Sequence, residues 1–554
     1  MAFSREIYRK LESIVGSRNI SEDPVVLETY RCAAAQSSAH FGPYSYRTPC
    51  PQAVVLPGCT EEVQRIVKLC NEYKIKFKAS TTFWSVMGYI GDDYSLQLDM
   101  RRMRKIEIDE KNMVAIVEPY AIGATIQAEA MKHGLICAIT GAGCSGSILA
   151  STIGHQGGGP SSIYMGTNYD NMLASEFVLP DGSIMHTGSM AQGAGWFCGD
   201  GPGPSLRALV RGGTGMNGEM GVCTKIAIKL SAWPGPKSGM PVRGLPPAYK
   251  ADLPKNFKAY TLCFPDWIAW ADAYMYFYDN EIIYMGHRQF NMFGRELKGA
   301  MVKILTNPDA QLADIPKLIE DPYIKAQTED MKIDVQVVIA GMSENDLAWK
   351  EAVLDEILNR VGGHKNEMMS EKDMEDYTLS YLIRMGHKNL NYVYCGAYEG
   401  NMAWSSNVYV DAEYMEQVVA MKKEWEDKHD YFAKVGGDSG LGSLTRVGGG
   451  GSTGFEFFLH FDAHDPSSVN GTCEYIDYTS KWMKDHGFGM DLGRVNANAR
   501  KPDGYSFSQE EHNAMFRGTP MEKIAVYQYK LREALNPNNL SGSYYRTCAP
   551  NPGK

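Results

Sequence analysis

Apolar positions between residues 51 and 234 recur in short alternating runs, interrupted by a few stretches with helical spacing. Val63, Ile66, Val67 and Cys70 fall on one face of a helix expected over 61–73, with Thr60 placed to cap it. Ile75, Phe77 and Ala79 alternate as a strand, and Leu96, Leu98 and Met100 as another. Ile106 and Ile108 face Val114 and Ile116 across a polar loop at 109–112, which predicts a hairpin. A helix over 122–133 should stop at Gly134. Phe177, Val178 and Leu179, then Pro180-Asp181-Gly182, then Ile184 read as strand, turn, strand, and 224–230 as one more strand. The prolines crowded between 234 and 254 can continue neither a helix nor a central strand, so a domain boundary is expected there. Beyond it, strands at 259–264, 335–339, 407–410 and 455–461 alternate with amphipathic helices at 348–361 and 412–427. That order predicts an antiparallel sheet with helices on one face, and an α+β fold for the whole chain.

Composition narrows the function classes. The 554 residues are 44% hydrophobic and 22% charged, which suits a globular protein rather than a disordered one or a coiled coil. A formal charge of −10 argues against a broad nucleic-acid or anionic-lipid footprint. No stretch of 18 apolar residues is present, so no transmembrane span is expected. Ile7, Leu11 and Ile14 sit at helical spacing among charges near the N-terminus, which predicts a surface helix rather than a signal peptide; a cytoplasmic protein is expected. Twelve cysteines stand singly with no C-x-x-C pair, which disfavours zinc ribbons and iron–sulfur runs and predicts reduced thiols. If the chain is a redox enzyme, no cluster within it carries the electrons onward.

Three small-residue clusters are suited to close backbone approach to a phosphate-bearing ligand. The first runs from Ala79 through Ser80, Thr81 and Thr82 to Gly88, directly after a strand. The second holds Gly141, Gly143, Ser151, Thr152, Gly154, His155 and Gly158, and the third spans 211–221 with Gly218 and Gly221. None matches a Rossmann fingerprint or a Walker A loop. Taken in order, short motifs along 51–234 resemble the FAD-binding domain of the vanillyl-alcohol oxidase / p-cresol methylhydroxylase (PCMH-type) flavoprotein superfamily. They are Pro51-Gln52-Ala53-Val54-Val55-Leu56-Pro57, Leu98-Asp99-Met100, Val117-Glu118-Pro119, Ser151-Thr152-Ile153-Gly154, Tyr164-Met165-Gly166, Val178-Leu179-Pro180-Asp181-Gly182 and Gly218-Glu219-Met220-Gly221-Val222. The ending Ala534-Leu535-Asn536-Pro537-Asn538-Asn539-Leu540 is similar to the family's closing helix and turn. The resemblance is closest to the glycolate oxidase / D-lactate dehydrogenase branch.

The resemblance implies a two-subdomain FAD-binding domain over 1–245, an antiparallel-sheet cap (substrate) domain over 246–490, and a C-terminal return over 491–554. FAD is the implied cofactor, held by Ser80, Thr81, Thr82, Gly141, Gly143, Ser151, Thr152, Gly154, His155, Gly158, Tyr164, Gly218, Gly221 and Val222. Two departures stand out. The first cluster lacks the family's glycine and histidine over 79–83, so no histidyl–flavin bond can form there, and the Gly-Asn-x-His-x-His metal motif is replaced by Gly448-Gly449-Gly450-Gly451 and Glu456-Phe457-Phe458-Leu459-His460. No metal ligands are assigned. For the substrate side, His460 and His464 offer titratable bases at i and i+4 of a strand, Arg446 can bind a carboxylate, and Tyr394 can line an aromatic pocket, while the resemblance puts Arg494 roughly where the phenol-oxidising branch carries its substrate-binding arginine. The expected activity is removal of a hydride from a small alcohol or 2-hydroxy acid. Oxygen, a quinone, an electron-transfer flavoprotein or a cytochrome is the expected acceptor, and a homo-oligomer the expected assembly. The alternatives are a phenol- or aromatic-alcohol-oxidising enzyme of the same superfamily, and a non-redox flavin-binding lyase or synthase or decayed flavoprotein subunit.

Overall fold

The computed structural model describes residues 3–30, 50–83, 95–139, 144–154, 157–201, 205–210, 219–238, 242–243, 250–288, 309, 311–384, 397–404, 408–413, 415–417, 441–447, 450–461, 465–467, 470–471, 474, 478, 509–518, 522–542 and 548–550. Three sheets organise them. The first has the order β1 (Ile20–Ser21), β2 (Ala53–Val55), β4 (Ser95–Asp99), β3 (Lys76–Ser80). β4 runs parallel to both β2 and β3, and the helix Thr60–Tyr73 crosses between them as in a βαβ unit. The helix buries Val63, Ile66, Val67 and Cys70, the face its spacing predicts. Thr60 is not its cap. Cys59 occupies that position, and the Thr60 hydroxyl donates instead to Glu176 Oε1 at 2.7 Å.

The second sheet is antiparallel, with the order β5 (Ile106–Asp109), β6 (Val114–Val117), β10 (Val222–Lys229), β8 (Met172–Val178), β9 (Ile184–Thr187). The β5–β6 hairpin pairs Ile106 with Val117 and Asp109 with Val114 as the alternation predicts. Two short ladders pair β7 (Leu135–Ile136) with β11 (Ser231–Ala232) and β12 (Val242–Arg243) with β13 (Lys250–Ala251). The helix Gly123–Lys132 is capped by His133, and Gly134 follows at φ +72°.

The third sheet is antiparallel throughout. Its order is β17 (His364–Lys365), β14 (Phe257–Cys263), β16 (Asp334–Ala340), β15 (Met285–Arg288), β19 (Leu441–Val447), β20 (Gly450–Phe461), β18 (Ala397–Trp404). Helices cover both of its faces, where the sequence reading put them on one. Val335, Val337 and Ile339 pack with Trp270 and Leu354 of the helices Trp267–Asn280 and Glu344–Val361. The opposite face carries Ala259, Met285 and Val338, packed with Leu379 and Leu382 of the helix Lys372–Arg384. β16 is therefore buried on both sides, and its Asp334–Ala340 run shows no polar-out alternation.

A second difference falls at 407–410, read as a strand. Residues 408–413 are helical, because Val408, Ala412 and Met415 share one helical face and are all buried, which outweighs the shorter alternation.

Sequence-distant pieces close the molecule. Leu540 and Gly542 hydrogen-bond to the Phe77 backbone of β3 at 2.8 and 3.1 Å, and Leu540 joins the core of the first sheet. One continuous core holds Ile148, Leu149, Leu230 and Trp233 together with Phe257, Met285 and Val338 of the third sheet. Among the described residues, no helix is long and apolar enough to cross a membrane, and the buried Cys70, Cys137, Cys223 and Cys548 are free thiols.

Candidate functional site

β3 ends in the first small-residue cluster. The Ser80 side chain is buried, and its Oγ accepts from Gln97 Nε2 at 3.0 Å, which leaves Thr81 and Thr82 to present the loop. Thr82 Oγ1 in turn accepts from the Ser147 backbone N–H at 3.2 Å, tying this loop to the second cluster. Phe83 adopts φ +53°, a left-handed conformation costing about 1–3 kcal/mol without glycine, and such strain concentrates at ligand clamps. Its ring packs edge-on against Tyr30, 5.4 Å between centroids. The Tyr30 hydroxyl donates to buried Asp99 at 2.8 Å, and Arg101 Nε donates to the same carboxylate oxygen at 2.7 Å. Burial, and then the Asp99 charge, push the Tyr30 phenol well above its usual range. The hydroxyl stays protonated and holds the base of the loop.

Ser147 opens the helix Ile148–Gly154: its Oγ accepts from Ala150 N at 3.0 Å and donates to Pro119 O at 2.6 Å. Ser151 Oγ accepts from Asn168 Nδ2 at 2.9 Å. Thr152 is fully buried and bonds Ile148 O, so its hydroxyl serves the helix. Gly154 ends the helix. Gly157 has φ +65°, and a Cβ there would lie 2.8 Å from Asn168 Cβ, so only glycine lets the chain pass at this point. Gly158 follows, and Pro160 O then accepts from Gly286 N of β15 at 2.7 Å. Tyr164 packs against Tyr284 with tilted rings 5.1 Å apart, where the helix Ser162–Met165 meets the third sheet beside a cleft of about 200 Å³. The 80–83, 147–154 and 157–160 segments thus form one hydroxyl- and backbone-lined cradle, which fits a pyrophosphate-bearing cofactor.

Gly221 and Val222 serve elsewhere. Gly221, at φ +90°, would place a Cβ 2.1 Å from Val178 O, and Val222 is buried in the core of the first sheet. Gly141, Gly143, His155 and Gly218 lie outside the described residues, as do His464, Arg494 and Tyr394.

A polar rung crosses the third sheet. Thr261 pairs with Gln336, Gln336 with His287, and His287 with Ser443. Thr261, Gln336 and His287 are 0–1% exposed, on the face whose preceding rung, Ala259–Val338–Met285, packs with Ile148 and Leu149 of the cradle helix. Thr261 Oγ1 and Gln336 Oε1 have no hydrogen-bond partner among the described residues. Sequence reasoning missed this rung. Its local signal was the polar Asp334 and Gln336 inside an otherwise apolar strand.

The register also separates two expected site residues. Arg446 pairs with Gly451, three residues along β19 from the level where Ser443 meets Gly454, an odd offset that puts it on the opposite face from the rung. His460 pairs with Tyr398 of β18, six residues beyond Gly454, or about 20 Å at the strand rise.

Cradle and third sheet together define an α+β protein with a site that fits a pyrophosphate-bearing cofactor. Residues 51–188 match the family model described as FAD binding domain. The chain is 28% identical over 187 residues to mitochondrial D-lactate dehydrogenase [cytochrome] of Arabidopsis thaliana, covering 33% of this chain and 31% of that protein. It is 28% identical over 189 residues to glycolate oxidase subunit GlcD of Bacillus subtilis, covering 34% and 38%. The matched stretch thus spans about a third of the length of these curated relatives. Two solved structures share the fold over nearly the whole chain. One is p-cresol methylhydroxylase with substrate bound, with a TM-score of 0.68, 15% identity and coverage of 98% and 96%. The other is the isoeugenol complex of 4-ethylphenol oxidase from Gulosibacter chungangensis, with a TM-score of 0.66, 16% identity and coverage of 100% and 99%. Residues 51–188 are thus an FAD-binding domain, the cofactor is FAD, and the chain shares the fold of the two phenol-oxidising flavoproteins.

Proposed function

We propose that this chain is an FAD-linked dehydrogenase or oxidase that takes a hydride from the carbinol carbon of a small 2-hydroxy acid. The observation that carries this reading is the likeness of its cofactor domain to two proteins whose names, D-lactate dehydrogenase and glycolate oxidase subunit, share that substrate class. FAD held in the cradle supplies the hydride-accepting centre. The chain supplies the rest. The Thr261 hydroxyl and Gln336 Oε1, dry and without partners among the described residues, orient the substrate's polar groups against the cradle side of the sheet. His287 takes the hydroxyl proton. Burial of the rung excludes water and strengthens each of these contacts. Electrons leave to a separate acceptor, for which oxygen, a quinone, an electron-transfer flavoprotein and a cytochrome are the choices.

The test is anaerobic stopped-flow bleaching of the flavin with D-lactate, glycolate, an aliphatic alcohol and a phenolic alcohol in parallel. Bleaching by a 2-hydroxy acid at the highest kcat/KM is the expected result. Preference for the phenolic alcohol would move the chain to the phenol-oxidising branch, and no bleaching by any of them would leave a non-redox role.

A further inference from the structure

The far edge of the third sheet carries a second constellation that plays no part in the flavin reading. Register sets Cys263 of β14 directly opposite His364 of the edge strand β17, so the two side chains share a face. The helix Pro322–Asp330 covers that edge, and its last residue, Asp330, brings a carboxylate to the pair. A thiol sulfur, an imidazole nitrogen and a carboxylate oxygen, one from each of three elements, lie within 4.8 Å of one another.

The chemistry of the set is specific. Deprotonated thiol and carboxylate carry two negative charges, which one divalent cation neutralises. Sulfur with nitrogen selects zinc-like ions over magnesium or calcium, which prefer all-oxygen shells. A single zinc 2.0–2.3 Å from each donor requires the three to draw in by about an ångström. The exposed His364 ring can make that adjustment, while Cys263, 1% exposed, fixes the inner corner.

The surroundings are arranged as an outer shell. Asn366, fully buried, donates from Nδ2 to Asp330 Oδ2 at 2.9 Å, and its Oδ1 accepts from Met369 N at 3.1 Å. Such a hydrogen bond orients a ligating carboxylate. His364 Nε2 lies 2.8 Å from Asp330 Oδ1, so imidazole and carboxylate already converge. The nearby Lys365 is turned to Asp355 at 2.7 Å, and Lys332 to Glu329 at 3.7 Å.

We propose that Cys263, Asp330 and His364 form a binding site for zinc or a similar thiophilic divalent cation, with a solvent-side position left for water. The ion clamps the 322–330 helix to the β14–β17 edge and takes no part in flavin chemistry.

The experiment uses the full-length flavoprotein, stripped by chelator and titrated with zinc chloride. Metal per chain is read by plasma mass spectrometry after gel filtration, and the coordinating atoms by X-ray absorption at the zinc edge. About one zinc per chain with a sulfur neighbour is expected, together with a rise in melting temperature. Cys263→Ser should lose the sulfur signal, and His364→Ala should weaken binding tenfold or more with FAD content unchanged. Wild type without stoichiometric zinc, or zinc bound equally well by His364→Ala, overturns the site. If buried Cys263→Ser does not fold, the exposed His364→Ala variant decides alone.

Discussion

Glu176 joins three elements through one carboxylate. It accepts from Thr60 Oγ1 at 2.7 Å, Thr224 Oγ1 at 2.8 Å and His186 Nε2 at 3.0 Å, with Lys225 Nζ at 3.5 Å. Burial alone would raise its pKa, but the His186, Thr60 and Thr224 bonds and the Lys225 charge outweigh it and hold the group at about 2. A carboxyl depressed in the fold stabilises fully above its ordinary value and loses that contribution as pH falls towards the folded value. The window here runs from about pH 4.5 down to 2, and the contribution is on the order of 3 kcal/mol. Urea unfolding of Glu176→Gln at pH 7 should show a loss of that order, shrinking as the pH falls through the window. Equal loss at both ends would disprove the linkage. Gly221 makes a steric prediction. An alanine Cβ would meet Val178 O at 2.1 Å in a left-handed backbone, so Gly221→Ala should cost about 2 kcal/mol or more, read as a lower melting temperature. A change under half that size would mean that the β8–β10 crossing can move. Glycine at 221 was legible as a marker of close approach; the approaching group is a protein carbonyl.

At the scale of elements, local patterns foretold most strands and helices because each is written in a few neighbouring residues. The β5–β6 hairpin, the 60–73 helix and β14 fall where alternation or helical spacing put them. What local pattern could not supply is pairing. Thr261, Gln336 and His287 lie far apart in the chain and meet only through the β14–β16–β15 register. The same register makes a kinetic prediction. A substrate spanning a few ångströms cannot contact both the His287 rung and His460, about 20 Å further along the sheet. His287→Ala should slow flavin reduction by roughly 10²-fold, the scale of a lost general base, and His460→Ala by less than about threefold. The reverse ranking in stopped-flow bleaching would move the reactive wall to the β18–β20 edge.

At the scale of the whole molecule, the second and third sheets share one apolar core, in which Trp233 packs at 5.2 Å on Phe257 and Tyr284 bonds Ala232 O at 2.8 Å. The C-terminal return is equally integral. Removing residues from 536 onward strips Leu540 and Gly542 from the Phe77 backbone, three residues before Ser80. The truncated protein should lose most of its FAD on gel filtration, while a full-length Asn538→Ala chain retains it. Retention by both would show that the return is dispensable for the cradle.

Lys74, at the root of β3, bonds Asn538 across 464 residues of chain. At roughly 5–20 residues per second, a ribosome needs some tens of seconds to travel that interval. Throughout that time β3 has emerged and its last neighbour has not yet been made. Nascent chains stalled before residue 536 should therefore capture no flavin, and coenzyme loading becomes an event that follows synthesis rather than one that accompanies it.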